Sequence, residues 1–391
     1  MSDSIRPAAL KALLTAAASL RNPELDAWTS AGGRVIGYYC PFIPEELFLA
    51  GGFLPFRMRG TGSTDTDQAD AFFDHLNCPF VRHSFDLALR GDYSFLQGLV
   101  VGTGCDHLRR IYDNALHAPL EASFVYLLDH PRTMGSEEEG AEPIVRYYRE
   151  QLSKLKEALE NHFGVAVTVP ALRAAISLCN ETRRLQRRLY DLSVAPAPKV
   201  SASERAAVMM AGASMPKERY NALLSEALKE LETAPETPGK ALARLMIVGP
   251  AIEDPAFYEV FEEQGAAIVV DDTCFGARTV QALVDEEAPD PLTALAKYQV
   301  VDMPFCPKIG GSHAHRLRFI QEVVARYRVD GVIAQGYVSC DAWGCSYALL
   351  REAMQEAGIP YLRVEREYIH SESGQLSTRI QAFLETTGGR G

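Results

Sequence analysis

The chain has 391 residues, 47% of them hydrophobic, enough to bury two or three packed cores. Its formal charge of −12 argues against broad binding to nucleic acid or anionic membranes, and no apolar run is long enough to span a bilayer. Eight cysteines, without a basic and uninterrupted apolar leader, are expected as reduced thiols in the cytoplasm, each by default a small buried hydrophobe.

In chain order, residues 1–30 read as a helical segment, with small residues and Leu at helical spacing in "PAALKALLTAAASL". Residues 31–142 read as an α/β lobe, from "RVIGYYCPF" to "ASFVYLLDHP". Within it the apolar run "LQGLVVGTGC" ends in glycines and gives way to the helical pattern "DHLRRIYDNAL", as a buried parallel strand followed by a helix does. "SEEEGAE" reads as a solvated acidic loop. Residues 143–235 are mostly helical: "EPIVRYYREQLSKLKEALENHFG" and "VPALRAAISLCNETRRLQRRLYDLS" carry apolar residues at three-to-four spacing, and "SVAPAPKVSASE" is a connector. Residues 236–391 form a second α/β lobe, in which "RLMIVGPAI", "AAIVVDD", "GVIAQGYV" and "IPYLRVE" alternate with helical patterns. The expected fold is α/β: two doubly wound, Rossmann- or flavodoxin-like lobes with parallel sheets, joined by a helical segment.

Ligands of open α/β sheets sit beyond the carboxyl ends of the strands, and there the two lobes repeat a pattern. Cys105 follows "GLVVGTG" and precedes Asp106; Cys340 follows "GVIAQGYVS" and precedes Asp341. Cys78 starts a helix with Pro79 at its first position. A helix N-terminus is expected to lower each thiol pKa and favour the thiolate, and Asp106 and Asp341 are expected to cap their helices. Three sulfurs without a nearby His suggest an iron–sulfur cluster with one iron open to another ligand; three capped, buried cysteines remain the plain alternative.

Five stretches together resemble a subunit of the 2-hydroxyacyl-CoA dehydratase and benzoyl-CoA reductase family. They are "GYYCPFIPEELFLAGGFLPFRMRG", "CPFVRHSFDLALRGDYSFLQGLVVGTGCDHLRRIYD", "VDDTCFGAR", "DPLTALAKYQVVDMPFCP" and "VDGVIAQGYVSCDAWGCSYALLREAMQEAGIPYLRVE". The resemblance implies a [4Fe–4S] cluster in the cleft between the lobes, with Cys78, Cys105 and Cys340 as ligands. Cys345 then falls in the helix after Cys340, as a packing or outer-layer residue. Cys40 matches no ligand position, Cys179 reads as core, and Cys274 and Cys306 sit in loops near the cleft without being expected ligands. Glu46 in "PEEL" matches a glutamate associated with substrate handling, its plain alternative being a helix-start carboxylate, with Glu45 the less favoured neighbour. Arg82, His83 and Ser84 are candidate donors toward cluster sulfurs, although His83 reads better as a surface histidine. Arg57 and Arg59 are candidates for CoA phosphates or solvated charges, and "DDTC" for the cleft or a turn.

The implied activity is one-electron chemistry on a CoA thioester: reduction to a ketyl radical, loss of the neighbouring hydroxyl as water and release of an enoyl-CoA. The implied partners are a homologous second subunit and an ATP-hydrolysing iron–sulfur activator, since the chain has no GxxxxGK[ST] phosphate loop of its own. An aryl-CoA reductase subunit is the alternative. A double-cubane electron-transfer protein is a further one, disfavoured because "RGDYSFLQG", between the first two ligand positions, holds no cysteine.

Overall fold

The structure, a computed structural model, describes residues 6–134, 140–196, 198–235, 242–369 and 373–387. The acidic run at 136–139, part of the connector at 197 and the start of the second lobe at 236–241 lie outside the described residues.

Two helices lead in, α1 (Ala8–Ala17) and α2 (Pro23–Ser30). Asn22 accepts the Leu25 N–H to cap α2, and Pro23 stands at a first-turn position where no N–H is needed. The first sheet comes from β1 (Arg34–Tyr38), α3 (Glu45–Ala50), β2 (Phe53–Arg57), α4 (Pro79–Leu89), β3 (Gly98–Gly102), α5 (Asp106–Ala115) and β4 (Phe124–Leu128). All its strands are parallel, in the order β2-β1-β3-β4. Four helices follow: α6 (Glu142–Phe163), α7 (Val169–Asp191), α8 (Ala202–Gly212) and α9 (Lys217–Thr233).

The second sheet repeats the topology. Its elements are β5 (Ala243–Val248), α10 (Ala256–Glu263), β6 (Ala266–Asp272), α11 (Pro291–Lys297), α12 (His313–Tyr327), β7 (Gly331–Tyr337), α13 (Asp341–Gly344), α14 (Tyr347–Glu356) and β8 (Tyr361–Arg366), followed by α15 (Ser373–Thr387). The order is β6-β5-β7-β8, again parallel. The inner strands β3 and β7 are buried along their whole length, which is why they read as unbroken apolar runs and not as alternation. The two-lobe α/β expectation is met by these two Rossmann-like sheets.

Helices cover both faces of each sheet. The helical segment between the lobes does not stand apart from them: Tyr148, Leu152 and Leu155 of α6 pack with Ile36 and Val100 of the first sheet. Ala202 and Ala206 of α8 pack with Leu245 and Ile247 of the second. Val208, Met210 and Ala211, also on α8, join α1 in the core of the first lobe. No helix among the described residues is long and apolar enough to cross a membrane.

In both sheets the strand order reverses beside the first strand, between β1 and β3 and between β5 and β7. A crevice opens at such a switch point because consecutive connections leave it on opposite faces. Here the two crevices meet across the lobes.

Candidate metal centre

The turns after β1, β3, β5 and β7 enclose a cavity of about 100 Å³. Its wall includes Cys40 after β1, Cys105 after β3 and Cys340 after β7, together with Cys78, Cys274 and Cys306. Cys105 and Cys340 were picked out as strand exits and Cys78 as a helix start, and the fold brings all three to this wall. Each is the residue just before a helix: Cys78 before α4, Cys105 before α5 and Cys340 before α13. Ser339, with φ of +63°, turns the chain sharply between β7 and Cys340.

The thiols carry raised pKa values, against the expectation of a lowered one. Burial drives Cys78 and Cys105 up to about 12 each, and Cys340 also upward, while the N–H groups of Phe80, Val81, Leu108 and Trp343 act the other way. Desolvation of a thiolate in a mostly apolar cavity outweighs the pull of a helix end. A metal bound by these thiols would have to displace their protons, so rising pH would favour it.

His107 was missed by sequence reasoning. Its Nδ1 accepts the Cys78 N–H at 3.3 Å, and its Nε2 lies 3.0 Å from Asp341 Oδ2, without the alignment of a hydrogen bond. One imidazole thus touches the residue before α4, stands in the first turn of α5 and reaches across to α13. The only available signal was its place two residues after Cys105. Asp341 and Asp106 do not cap their helices: the cysteines occupy the cap positions, and Asp106 instead meets Arg109 at 3.2 Å.

Cations border the thiols. Lys308 Nζ stands 4.0 Å from Cys40 Sγ and 4.1 Å from the centre of the Phe42 ring. Arg278 Nη1 lies 3.8 Å from Cys274 Sγ while its Nε holds Asp272 at 2.8 Å. Arg57 and Arg59 are buried and engaged, so neither is a solvated charge. Arg57 donates to the carbonyls of Tyr39 (3.0 Å) and Cys274 (2.7 Å), and Arg59 to Ser19 O (3.0 Å). "DDTC" is a built turn: Asp271 accepts from Tyr190 and the Ala277 N–H, and only Cys274 reaches the cavity wall.

Ser84 lies one layer behind the wall, its hydroxyl 3.4 Å from Tyr39 Oη and 3.2 Å from Val81 O. Arg82 turns away to Asp70. His83, expected at the surface, is buried: its ring stacks on Tyr368 at 4.3 Å, Ser63 bonds its Nδ1 at 2.8 Å, and burial lowers its pKa to about 4. Cys345, expected in packing, is exposed at the end of α13, where the chain breaks before α14.

Glu46 lies in an adjoining pocket of about 70 Å³, which shares Pro41 and Arg57 with the cysteine cavity. It is fully buried in the first turn of α3, where Arg183 Nη2 bonds its Oε1 at 2.5 Å and its Oε2 has no partner. Its neighbour Glu45 also faces the pocket, held by Lys217 (2.9 Å) and Tyr38 (3.0 Å). Cys179, as expected, is buried, and it lines this second pocket.

Among the described residues no three His, Cys, Asp or Glu side chains are grouped to hold a single metal ion. The thiols surround a void several times the roughly 10–15 Å³ that one water needs. Soft thiols around a void, with outer-layer cations and no His on the wall, fit an iron–sulfur cluster in donor type.

Comparison with known proteins gives a consistent result. Residues 40–387 match the sequence model of the family described as 2-hydroxyglutaryl-CoA dehydratase, D-component. The chain is similar to the beta subunit of lactoyl-CoA dehydratase of Anaerotignum propionicum, with 25% identity across 97% of this chain and 98% of the relative. It is 26% identical to the beta subunit of (R)-2-hydroxyglutaryl-CoA dehydratase of Acidaminococcus fermentans, over 93% of this chain and 94% of the relative. To one of the benzoyl-CoA reductase subunits of Thauera aromatica it is 26% identical, over 84% of each.

Proposed function

The chain belongs to the 2-hydroxyglutaryl-CoA dehydratase D-component family, and from that premise we propose that it is one subunit of a 2-hydroxyacyl-CoA dehydratase, removing water from a 2-hydroxyacyl-CoA. The observation that carries this reading is the convergence of Cys78, Cys105 and Cys340, from both lobes, on one cavity. These three would hold a [4Fe–4S] cluster. When bound, the cluster would supply an electron at low potential and a Lewis-acidic metal for the thioester.

The chain's own residues do the rest. Phe80, Val81, Leu108 and Trp343 line the cavity with apolar surface and limit water, which strengthens every charge interaction inside. His107 fixes the three ligand-bearing turns relative to one another. Glu46 is the acid–base group: Arg183 holds one oxygen, and the other is free to take or give a proton. The low-potential electron comes from a separate ATP-hydrolysing iron–sulfur activator, and the enzyme is completed in the cytoplasm by a second, related chain. Similarity to a benzoyl-CoA reductase subunit favours a second reading, an aryl-CoA reductase subunit.

The test is iron and acid-labile sulfide per chain after strictly anaerobic purification, comparing wild type with Cys78→Ala, Cys105→Ala, Cys340→Ala and Cys345→Ala. About four irons are expected in wild type and in Cys345→Ala, and a loss in the other three variants. Wild type without iron after reconstitution would return these cysteines to a purely structural role. With partner subunit and activator added, formation of an enoyl-CoA or of a reduced aryl ring separates the two activities.

A further inference from the structure

A cavity of about 450 Å³ lies between the lobes and shares no residue with the cysteine cavity or the Glu46 pocket. Its walls are the end of α1, the loop 60–63 after β2, the turn from β5 into α10, and Tyr368 and Ile369 after β8. We propose that this cavity binds a small organic cation, a primary amine carried on an apolar body.

The cavity has the size of a small-molecule site, which is roughly 300–1,000 Å³. Leu14, Ala17, Ala207 and Pro255 give it apolar surface, and Ala18, Ala256 and Ile369 are exposed, so it opens to solvent on their side. Its charge is one-sided. Glu253 and Asp254 stand in the wall, and among the described residues no Lys, Arg or His does. Asp254 accepts the Ala256 N–H at 3.0 Å. Glu253 is only 2% exposed, and its hydrogen bonds fall on one oxygen: the Gly60 N–H, at 2.6 Å, and the Tyr368 hydroxyl both donate to Oε1. Its Oε2 has no hydrogen-bond partner. A buried carboxyl oxygen left in this way is costly, and a ligand N–H supplies the missing donor. Thr61 Oγ1, which accepts from Arg59 Nε at 3.1 Å, has a second lone pair to offer.

The same wall selects among ligands. A CoA ester carries phosphates, which would meet two carboxyl groups and no cation here, so this is not a thioester site. A bare metal ion is not served either, because no three His, Cys, Asp or Glu among the described residues are grouped to hold one. An ammonium group on an apolar body matches both parts of the wall. Burial pushes Glu253 up to about 8, against the Gly60 N–H and the guanidinium groups of Arg57 and Arg59 at the end of β2 and Arg366 of β8. Asp254 adjoins it on its own turn, and Tyr39, Cys78 and Tyr337 feel its charge from the other side. The empty site therefore holds a proton on Glu253 at neutral pH. Binding of an ammonium ion releases that proton to solvent, so affinity should rise with pH up to the value for Glu253.

The experiment is isothermal titration of the purified full chain with 2-phenylethylamine, 2-phenylethanol and phenylacetate, which share a body and differ in the head group. Wild type is expected to bind the amine about tenfold or more tighter than the alcohol or the acid. The amine should bind more weakly at about pH 6 than at about pH 8. Glu253→Gln should weaken the amine about tenfold and remove its pH dependence. The proposal is overturned if the amine fails to bind at millimolar concentration, if the three probes bind alike, if the acid is preferred, or if Glu253→Gln binds as wild type does. Should Glu253→Gln fail to fold, Ala18→Trp at the exposed mouth decides: loss of amine binding supports the site, and unchanged binding refutes it.

Discussion

Glu253 is a carboxyl that burial pushes up to about 8, although the Gly60 N–H donates to it at 2.6 Å and Arg59 and Arg366 act to lower it. Between the ordinary value of 4.5 and about 8 the folded chain holds a proton that the unfolded chain has released. Stability should therefore fall as pH rises through that window, and Glu253→Gln should flatten the slope and exceed wild type at its alkaline end. Denaturant midpoints at several pH values check this; an unchanged slope would show that Glu253 stays ionised. Glu46 is held differently, by one buried ion pair. Glu46→Ala strands Arg183 among buried groups and should cost about 3–5 kcal/mol, read from urea unfolding, with a loss of activity beyond any loss of folded protein. His107→Ala should leave the fold intact but speed iron release to a chelator, because three ligand turns lose their common contact. At this scale the sequence disclosed Cys105 and Cys340, which follow strand ends, and Cys78, which stands before Pro79 at a helix start. Cys274 and Cys306 were legible as lying near the cleft and Cys40 as matching no ligand position, whereas His107 was not legible as part of a site, because its neighbours come from distant segments.

The strands show what kind of element a sequence announces. "GLVVG" and "GVIAQGY" are apolar throughout because both faces are covered, and their parallel pairing follows from the helices between them. The long helices α6 and α7 were equally plain from their spacing. The helix α11 was not, being seven residues long and too short to show a period. The break between α13 and α14 was also hidden, so Cys345 was placed inside a helix when it ends one. One glycine governs the second switch point. A Cβ at Gly249, just past β5, would lie 2.4 Å from the Gln335 carbonyl oxygen of β7. Gly249→Ala should force the two strands apart at the cavity, costing about 1–3 kcal/mol, and should lower iron content per folded chain, measured after size-exclusion purification. Unaltered stability and iron would mean that the strand ends yield without strain.

The two lobes share apolar cores: Ala251, Phe275 and Tyr337 of the second lobe belong to the same buried cluster as α1, α4 and β3 of the first. The chain should unfold as a unit, and its two tryptophans make this measurable, with Trp28 on α2 and Trp343 on α13. In Trp28→Phe and Trp343→Phe variants, the remaining fluorophore should report coincident urea transitions; separated midpoints would show lobes of independent stability. That the lobes form a pair was legible from two runs of strand–helix alternation, whereas their sharing of cores was not, because it depends on how α8 and α9 turn between the sheets. The assembly of the cavity from both lobes also has a consequence for biosynthesis. During translation the first lobe emerges with Cys78 and Cys105, while Cys340 and the turns after β5 and β7 do not yet exist. A nascent chain therefore offers no closed pocket, and loading of the proposed metal centre would follow the folding of the second lobe instead of guiding it.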